Sequence, residues 1–178
     1  PKSSFFSFRF REIWKYRDLL ILFVRRDFVA MYKQTILGPL WFFIQPIISS
    51  FVFYVIFSKV AEIPTDGMPP YLFYLCGLTA WNYFSTCLNS TSNVFVSNSG
   101  IFGKVYFPRL IIPLSIVISN LIRFLMQFVI FIIFYLYFYW KGADITFSVY
   151  AGLFPVLILL MAGLGLGFGI IISALTTK

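Results

Sequence analysis

The chain has 178 residues, of which 60% are hydrophobic and only 11% are charged, and its mean hydropathy is +0.90. Soluble domains carry about 25% charged residues, and the uncharged runs here reach the roughly 20 residues that cross a bilayer, so we predict an all-α integral membrane protein. No histidine and only six acidic residues are present, which argues against a hydrolase site or a relay of proton-transferring residues.

Residues 1–33 are predicted to be a cytoplasmic, amphipathic segment that lies in the membrane interface. Eight Lys and Arg face three acids within residues 1–36. Phe10, Ile13 and Trp14 fall on one face of a helix, and the apolar run Leu19–Val24 is too short to span a bilayer. This mixture favours anionic lipid headgroups over nucleic acid as the surface that the segment contacts.

Residues 34–178 are predicted to form a transmembrane domain of four helices. The spans lie at about residues 34–58, 71–96, 110–140 and 149–175. Basic residues gather in residues 1–33, at Lys104 and Arg109 and at Lys178, whereas three of the six acids lie in the loops 61–70 and 141–146. Because cytoplasmic loops are enriched in Lys and Arg, both ends of this chain are predicted to be cytoplasmic.

The inner half of the second span carries polar side chains spaced i, i+3, i+4, i+7, i+10 and i+11, which is one helical face. They are Asn82, Ser85, Thr86, Asn89, Ser92 and Asn93. Lipid cannot satisfy these groups, so this polar stripe is expected to face protein or water. Two interpretations stay open, namely hydrogen bonding between helices and the wall of a conduit.

The third span contains Arg123, and an arginine at the centre of a membrane helix costs about 2.5–3.5 kcal/mol to insert. One interpretation is that its side chain snorkels to the inner headgroups, and the other is that it contacts an anion in a transport pathway. Aromatic residues crowd the outer end of this span at 134–140. They indicate either an interfacial belt or a stacking surface for sugar rings.

The fourth span holds two pairs of glycines spaced four residues apart, Gly163 with Gly167 and Gly165 with Gly169. Such pairs predict close approach of a neighbouring helix. They do not form a nucleotide-binding loop, because the glycine spacing of that motif and its preceding strand are missing.

The loop 98–109, NSGIFGKVYFPR, is predicted to be a cytoplasmic turn because it is basic and separates two spans on each side. It is unusually apolar for a turn. Ile101, Phe102, Val105, Tyr106 and Phe107 either dip into the headgroups or contact another protein.

Three segments of the chain resemble the permease subunits of ABC-2 type polysaccharide exporters, which export O-antigen, capsule or teichoic acid. They are RRDFVAMYKQTILGPLWFFIQP (Arg25–Pro46), YLFYLCGLTAWNYF (Tyr71–Phe84) and GKVYFPRLIIP (Gly103–Pro113). The resemblance implies a homodimer in the bacterial inner membrane that works with two copies of a separate ATP-binding subunit. ATP and Mg would bind to that subunit, and this chain would bind no cofactor. The family pattern has six spans, so the last two are expected to be absent from this chain.

The resemblance also implies roles for individual residues. The loop 98–109 would contain the coupling helix that contacts the ATPase, through Lys104, Val105, Tyr106, Phe107 and Arg109. Substrate access and guidance of a diphosphate would involve Arg25, Arg26 and Lys33. The substrate path would include Asn82, Ser85, Asn89, Asn93 and Arg123. No catalytic or metal-binding residue is expected.

The predicted function is ATP-driven export of a polyprenyl-diphosphate-linked polysaccharide through a channel at the dimer interface. An alternative within transport is an ABC-2 exporter of a drug or a lipid. Alternatives from other classes are a membrane glycosyltransferase or polymerase and a structural membrane subunit that transports nothing. An enzyme should place acidic residues in a cavity between its spans, and the predicted spans contain none.

Overall fold

A computed structural model describes residues 13–33, 38–102, 107–143, 145 and 152–176, and within these ranges the regular structure is helical and no strand occurs. The prediction of an all-α protein is thereby confirmed. The helices in chain order are α1 (Arg17–Lys33), α2 (Trp41–Phe53), α3 (Pro70–Ser92), α4 (Val94–Ser97), α5 (Ser99–Phe102), α6 (Ile111–Trp140) and α7 (Phe154–Thr176). A short 3-10 helix, Gly38–Leu40, precedes α2, which continues as a π-helix, Tyr54–Val60.

Three helices in the described part of the chain are long and apolar enough to cross a membrane. They are Trp41–Val60, Ile111–Trp140 and Phe154–Thr176, with mean hydropathies of 1.7, 2.3 and 2.5. The 23 residues of α3 make a helix of about 35 Å, which also exceeds a hydrocarbon core of about 30 Å. However, α3 is not among the three apolar helices, because polar side chains occupy its second half, so its crossing stays a prediction.

Helix α3 is the centre of the bundle and packs against α2, α6 and α7. Glycines let α7 approach it closely. A Cβ atom added to Gly169 would lie 2.6 Å from Cβ of Thr91, and one added to Gly165 would lie 3.0 Å from Cβ of Cys87. The predicted close approach is confirmed for this pair. The other pair, Gly163 and Gly167, has no described atom within 4 Å of an added Cβ.

The predicted second span, 71–96, is divided into two helices at Asn93, whose φ of −104° and ψ of 6° lie outside the helical range. Asparagines flank α4 on both sides, and their side-chain amides donate to backbone carbonyls of Asn89 and Val94. Such local hydrogen bonds compete with helix continuation. The backbone N–H of Phe95 donates to Oγ of Ser173 at 3.1 Å, which fixes this break against α7.

Helix α1 lies along the first turns of α6. Phe23 joins a buried apolar cluster with Val94, Phe107, Ile111 and Ile112. At 30 residues, α6 is about 45 Å long, so it exceeds a hydrocarbon core of about 30 Å. The helix is therefore longer than such a core is thick, and the interfacial position of α1 beside its first turns stays a prediction.

Candidate functional site

A polar cavity of about 70 Å³ lies between α2, α3 and α6. Its wall consists of Gln45 from α2, Asn82, Tyr83 and Thr86 from α3, and Asn120, Arg123, Phe124 and Gln127 from α6. One water molecule needs about 10–15 Å³ of such cavity volume, so the cavity accommodates several waters or one small polar group. Two of its three helices have the composition of membrane spans, which makes so polar a cavity a candidate functional site.

The polar wall from α6 is a single helical face, because Asn120, Arg123 and Gln127 are spaced i, i+3 and i+7. Asn120 is 2% exposed and Gln127 is 6% exposed. Sequence reasoning singled out Arg123 alone and missed both amides, although their spacing around Arg123 was a usable signal. Gln45, on the facing helix, was also missed, and its sequence context carries no comparable pattern.

Arg123 points into the bundle at this cavity. Its guanidinium carbon lies 5.3 Å from the ring centroid of Phe42, a cation–π contact worth about 0.5–2 kcal/mol. The side chain is half-buried and lines the cavity together with Asn82. The structure thus brings together two of the five residues predicted for a substrate path.

The other three predicted path residues do not line this cavity. Asn89 and Asn93 are exposed. The amide of Asn89 donates to Oγ of Ser85 at 3.3 Å, and the amide of Asn93 donates to the carbonyl oxygen of Asn89 at 3.4 Å. The polar stripe of α3 therefore has two parts, one that faces the cavity between helices and one that faces away from the bundle.

The three basic residues predicted for diphosphate guidance lie on α1, but their surroundings differ. Arg25 and Lys33 are exposed. Arg26 forms an ion pair with Asp27, with 2.8 Å between Nη2 and Oδ1, and its guanidinium carbon lies 4.7 Å from the ring centroid of Phe23. Arg26 therefore has two contacts within α1 that compete with any external anion.

Of the predicted coupling residues, Lys104, Val105 and Tyr106 lie outside the described residues. Phe107 is only 8% exposed, and its ring centroid lies 6.0 Å from that of Phe23. The ring is therefore buried between α1 and α6 and removed from water, so it is not the exposed apolar residue that the loop led us to expect. Its part in coupling to an ATPase stays a prediction. Arg109 is exposed in the turn before α6.

Within the described ranges, no group of three or more His, Cys, Asp or Glu side chains is arranged to hold a metal ion. The polar cavity is built from amides, hydroxyls and one guanidinium. These groups suit hydrogen bonding to a polar ligand or water, and their chemistry does not suggest a metal centre.

Comparison with known proteins gives a family and several relatives. The model of the ABC-2 type transporter family matches residues 18–178. The O-antigen export system permease protein RfbA of Myxococcus xanthus is 30% identical over 165 residues, which cover 93% of this chain and 61% of that protein. A protein of the same name from Klebsiella pneumoniae is 33% identical over 109 residues, which cover 61% of this chain and 41% of that protein. The chain thus spans less than two thirds of the length of these relatives.

Proposed function

Since this chain belongs to the ABC-2 type transporter family, we propose that it is part of the permease subunit of an exporter that moves a polyprenyl-diphosphate-linked polysaccharide across the bacterial inner membrane. The observation that carries the proposal is the 30% identity, over 93% of the chain, to a protein named as an O-antigen export system permease. The polar cavity and the apolar helices around it suit a transport subunit.

We further propose that the permease is a homodimer and that ATP and Mg are bound by a separate ATP-binding subunit, present in two copies. The basic loop 98–109 is the proposed contact for that subunit. In this arrangement, Phe107 connects the loop to α1 by packing against Phe23. A movement imposed on the loop by ATP hydrolysis would then be transmitted both to α1 and to the first turns of α6.

The proposed route of the substrate begins at α1, where the exposed Arg25 and Lys33 would attract the anionic diphosphate at the inner headgroups. The exposed part of the polar stripe, with Asn89 and Asn93, would line the path through the membrane. Polar groups on such a surface offer hydrogen bonds to sugar hydroxyls that lipid cannot offer.

Deletion of the gene in its own host tests the proposed function. We expect the surface polysaccharide to disappear and the lipid-linked glycan to accumulate on the cytoplasmic side, with both effects reversed by the wild-type gene. An unchanged surface glycan, accompanied by loss of resistance to a drug or by a changed lipid distribution, would instead support the alternative exporter. A glycan that is no longer synthesised would support the glycosyltransferase or polymerase alternative.

Arg123→Leu tests the proposed path more directly. We expect export to fall because Arg123 faces the cavity. The amount of permease in the membrane and its dimerisation should stay at the wild-type level, because leucine costs less than arginine to insert. Arg123→Lys keeps the charge and removes the planar, bidentate geometry, so it separates the two contributions. Unchanged export in Arg123→Leu would remove this residue from the path.

A further inference from the structure

Two buried polar groups that adjoin the cavity lack full hydrogen-bond partners. Asn120 is 2% exposed and Tyr83 is 4% exposed. The amide nitrogen and oxygen of Asn120 and the hydroxyl of Tyr83 make no geometrically acceptable hydrogen bond within the described part of the chain. The thiol of Cys87 neighbours both side chains, but a thiol is only a weak hydrogen-bonding group. A buried polar group that makes no hydrogen bond costs about 1–3 kcal/mol. A polar occupant of the cavity would therefore stabilise the protein by hydrogen bonding to these groups.

The chemistry of the wall indicates the charge of that occupant. Among the described residues that line the cavity, Arg123 is the only charged one, and the other polar groups are amides and hydroxyls. All of these can donate hydrogen bonds, and the described part of the wall contains one positively charged side chain and no acidic one. Arg123 follows the start of α6 by twelve residues, or about 18 Å, a depth at which ionisable side chains mark functional sites.

The arrangement of the hydrogen-bond donors indicates the shape of the anion that the cavity would bind. They come from three helices and so surround the cavity from several directions, which suits an ion with oxygens in a tetrahedral arrangement better than a planar carboxylate. Arginine binds such oxyanions through two parallel hydrogen bonds. We propose that the cavity between α2, α3 and α6 is a binding site for a phosphoryl group, held by Arg123 and Asn120 with Asn82 and Gln127.

The phosphoryl group has two possible sources, a phosphate ion from the cytoplasm and the headgroup of a phospholipid. Both present the same tetrahedral oxyanion to the cavity. The site itself does not depend on export of a polysaccharide, so binding is measurable whether or not the proposed function is right.

The test is equilibrium dialysis of the purified full-length permease, in an uncharged maltoside detergent, against radiolabelled inorganic phosphate. We expect saturable binding of one phosphate per chain. Arg123→Lys should weaken it at least tenfold, because lysine lacks the bidentate geometry. Asn120→Leu should also weaken phosphate binding at least tenfold. Because this substitution leaves the charge of the cavity unchanged, such a loss would exclude a purely non-specific electrostatic attraction.

Thr79→Val is the matched control. Thr79 is buried on α3, and its hydroxyl donates to the carbonyl of Leu75 at 2.7 Å, outside the cavity wall. Binding should be unchanged in this variant, and size-exclusion chromatography should show that all three variants stay monodisperse. Short-chain phosphatidic acid and phosphatidylcholine are then added as competitors. Competition by either lipid identifies a headgroup as the source, and its absence identifies free phosphate.

Two results would overturn the proposal. One is that the wild-type protein shows no saturable binding of either phosphate or phosphatidic acid. The other is that Asn120→Leu binds phosphate as well as Thr79→Val does. The cavity would in either case hold water only.

Discussion

The close contact between α3 and α7 predicts that Gly169→Ala destabilises the protein. In Gly169→Ala, the new Cβ would lie 2.6 Å from Cβ and 2.9 Å from Cγ2 of Thr91, and 3.2 Å from the carbonyl oxygen of Leu88. Carbon atoms in good contact are about 3.5–4.0 Å apart. The two helices would therefore have to separate by about 1 Å, and overpacking of this kind costs roughly 1–3 kcal/mol.

Gly163→Ala, on the same helix, is the matched control, because an added Cβ at Gly163 meets no described atom within 4 Å. We expect thermal unfolding of the purified protein, followed by tryptophan fluorescence, to show a clearly lower Tm for Gly169→Ala alone. Replacing Thr91 by Gly in the Gly169→Ala background removes both clashing carbons and should recover part of the loss. Equal Tm values for Gly163→Ala and Gly169→Ala would refute the proposed helix contact.

Three further predictions concern the loops and the interface. Cysteine at Met68 should react with a membrane-impermeant reagent in intact cells and cysteine at Ser99 only after permeabilisation, whereas the reverse pattern would invalidate the charge-based topology. Phe107→Ala should lower the free energy of unfolding by about 3–5 kcal/mol, as is typical of a buried Phe, and an unchanged denaturation midpoint would contradict its burial. Tyr106→Ala should weaken detergent pull-down of the ATP-binding subunit more than Lys104→Ala does, because aromatic residues dominate interface energies; equal pull-down would argue for a loop that rests on lipid.

Much of the fold could be predicted from local pattern. The low content of charge and the long apolar runs indicated a helical membrane protein, since the bilayer leaves the backbone few other ways to satisfy its hydrogen bonds. Glycine spacing correctly predicted a close helix contact, and Arg123 was recognised because a charge within an apolar run stands out in any sequence. These features depend on residue type and spacing along one helix.

The tertiary structure determined which face of each helix contacts which neighbouring helix. Either glycine pair satisfied the same spacing rule, but among the described residues Gly165 and Gly169 lie against α3, whereas Gly163 and Gly167 do not. Phe107 was expected to dip into the headgroups or to contact another protein, because it is an apolar residue in a basic loop. In the structure it packs against α1, a contact between residues far apart in sequence.

The candidate site shows the same division between local pattern and tertiary contact. The polar residues of α3 and α6 follow a pattern on their own helices, whereas Gln45 does not. The cavity exists only because α2, α3 and α6 place Gln45, Asn82 and Arg123 around one space. Periodicity gives the face of a helix on which a side chain lies. It carries no information on the partner of that face, because this depends on packing between segments that the chain brings together only on folding.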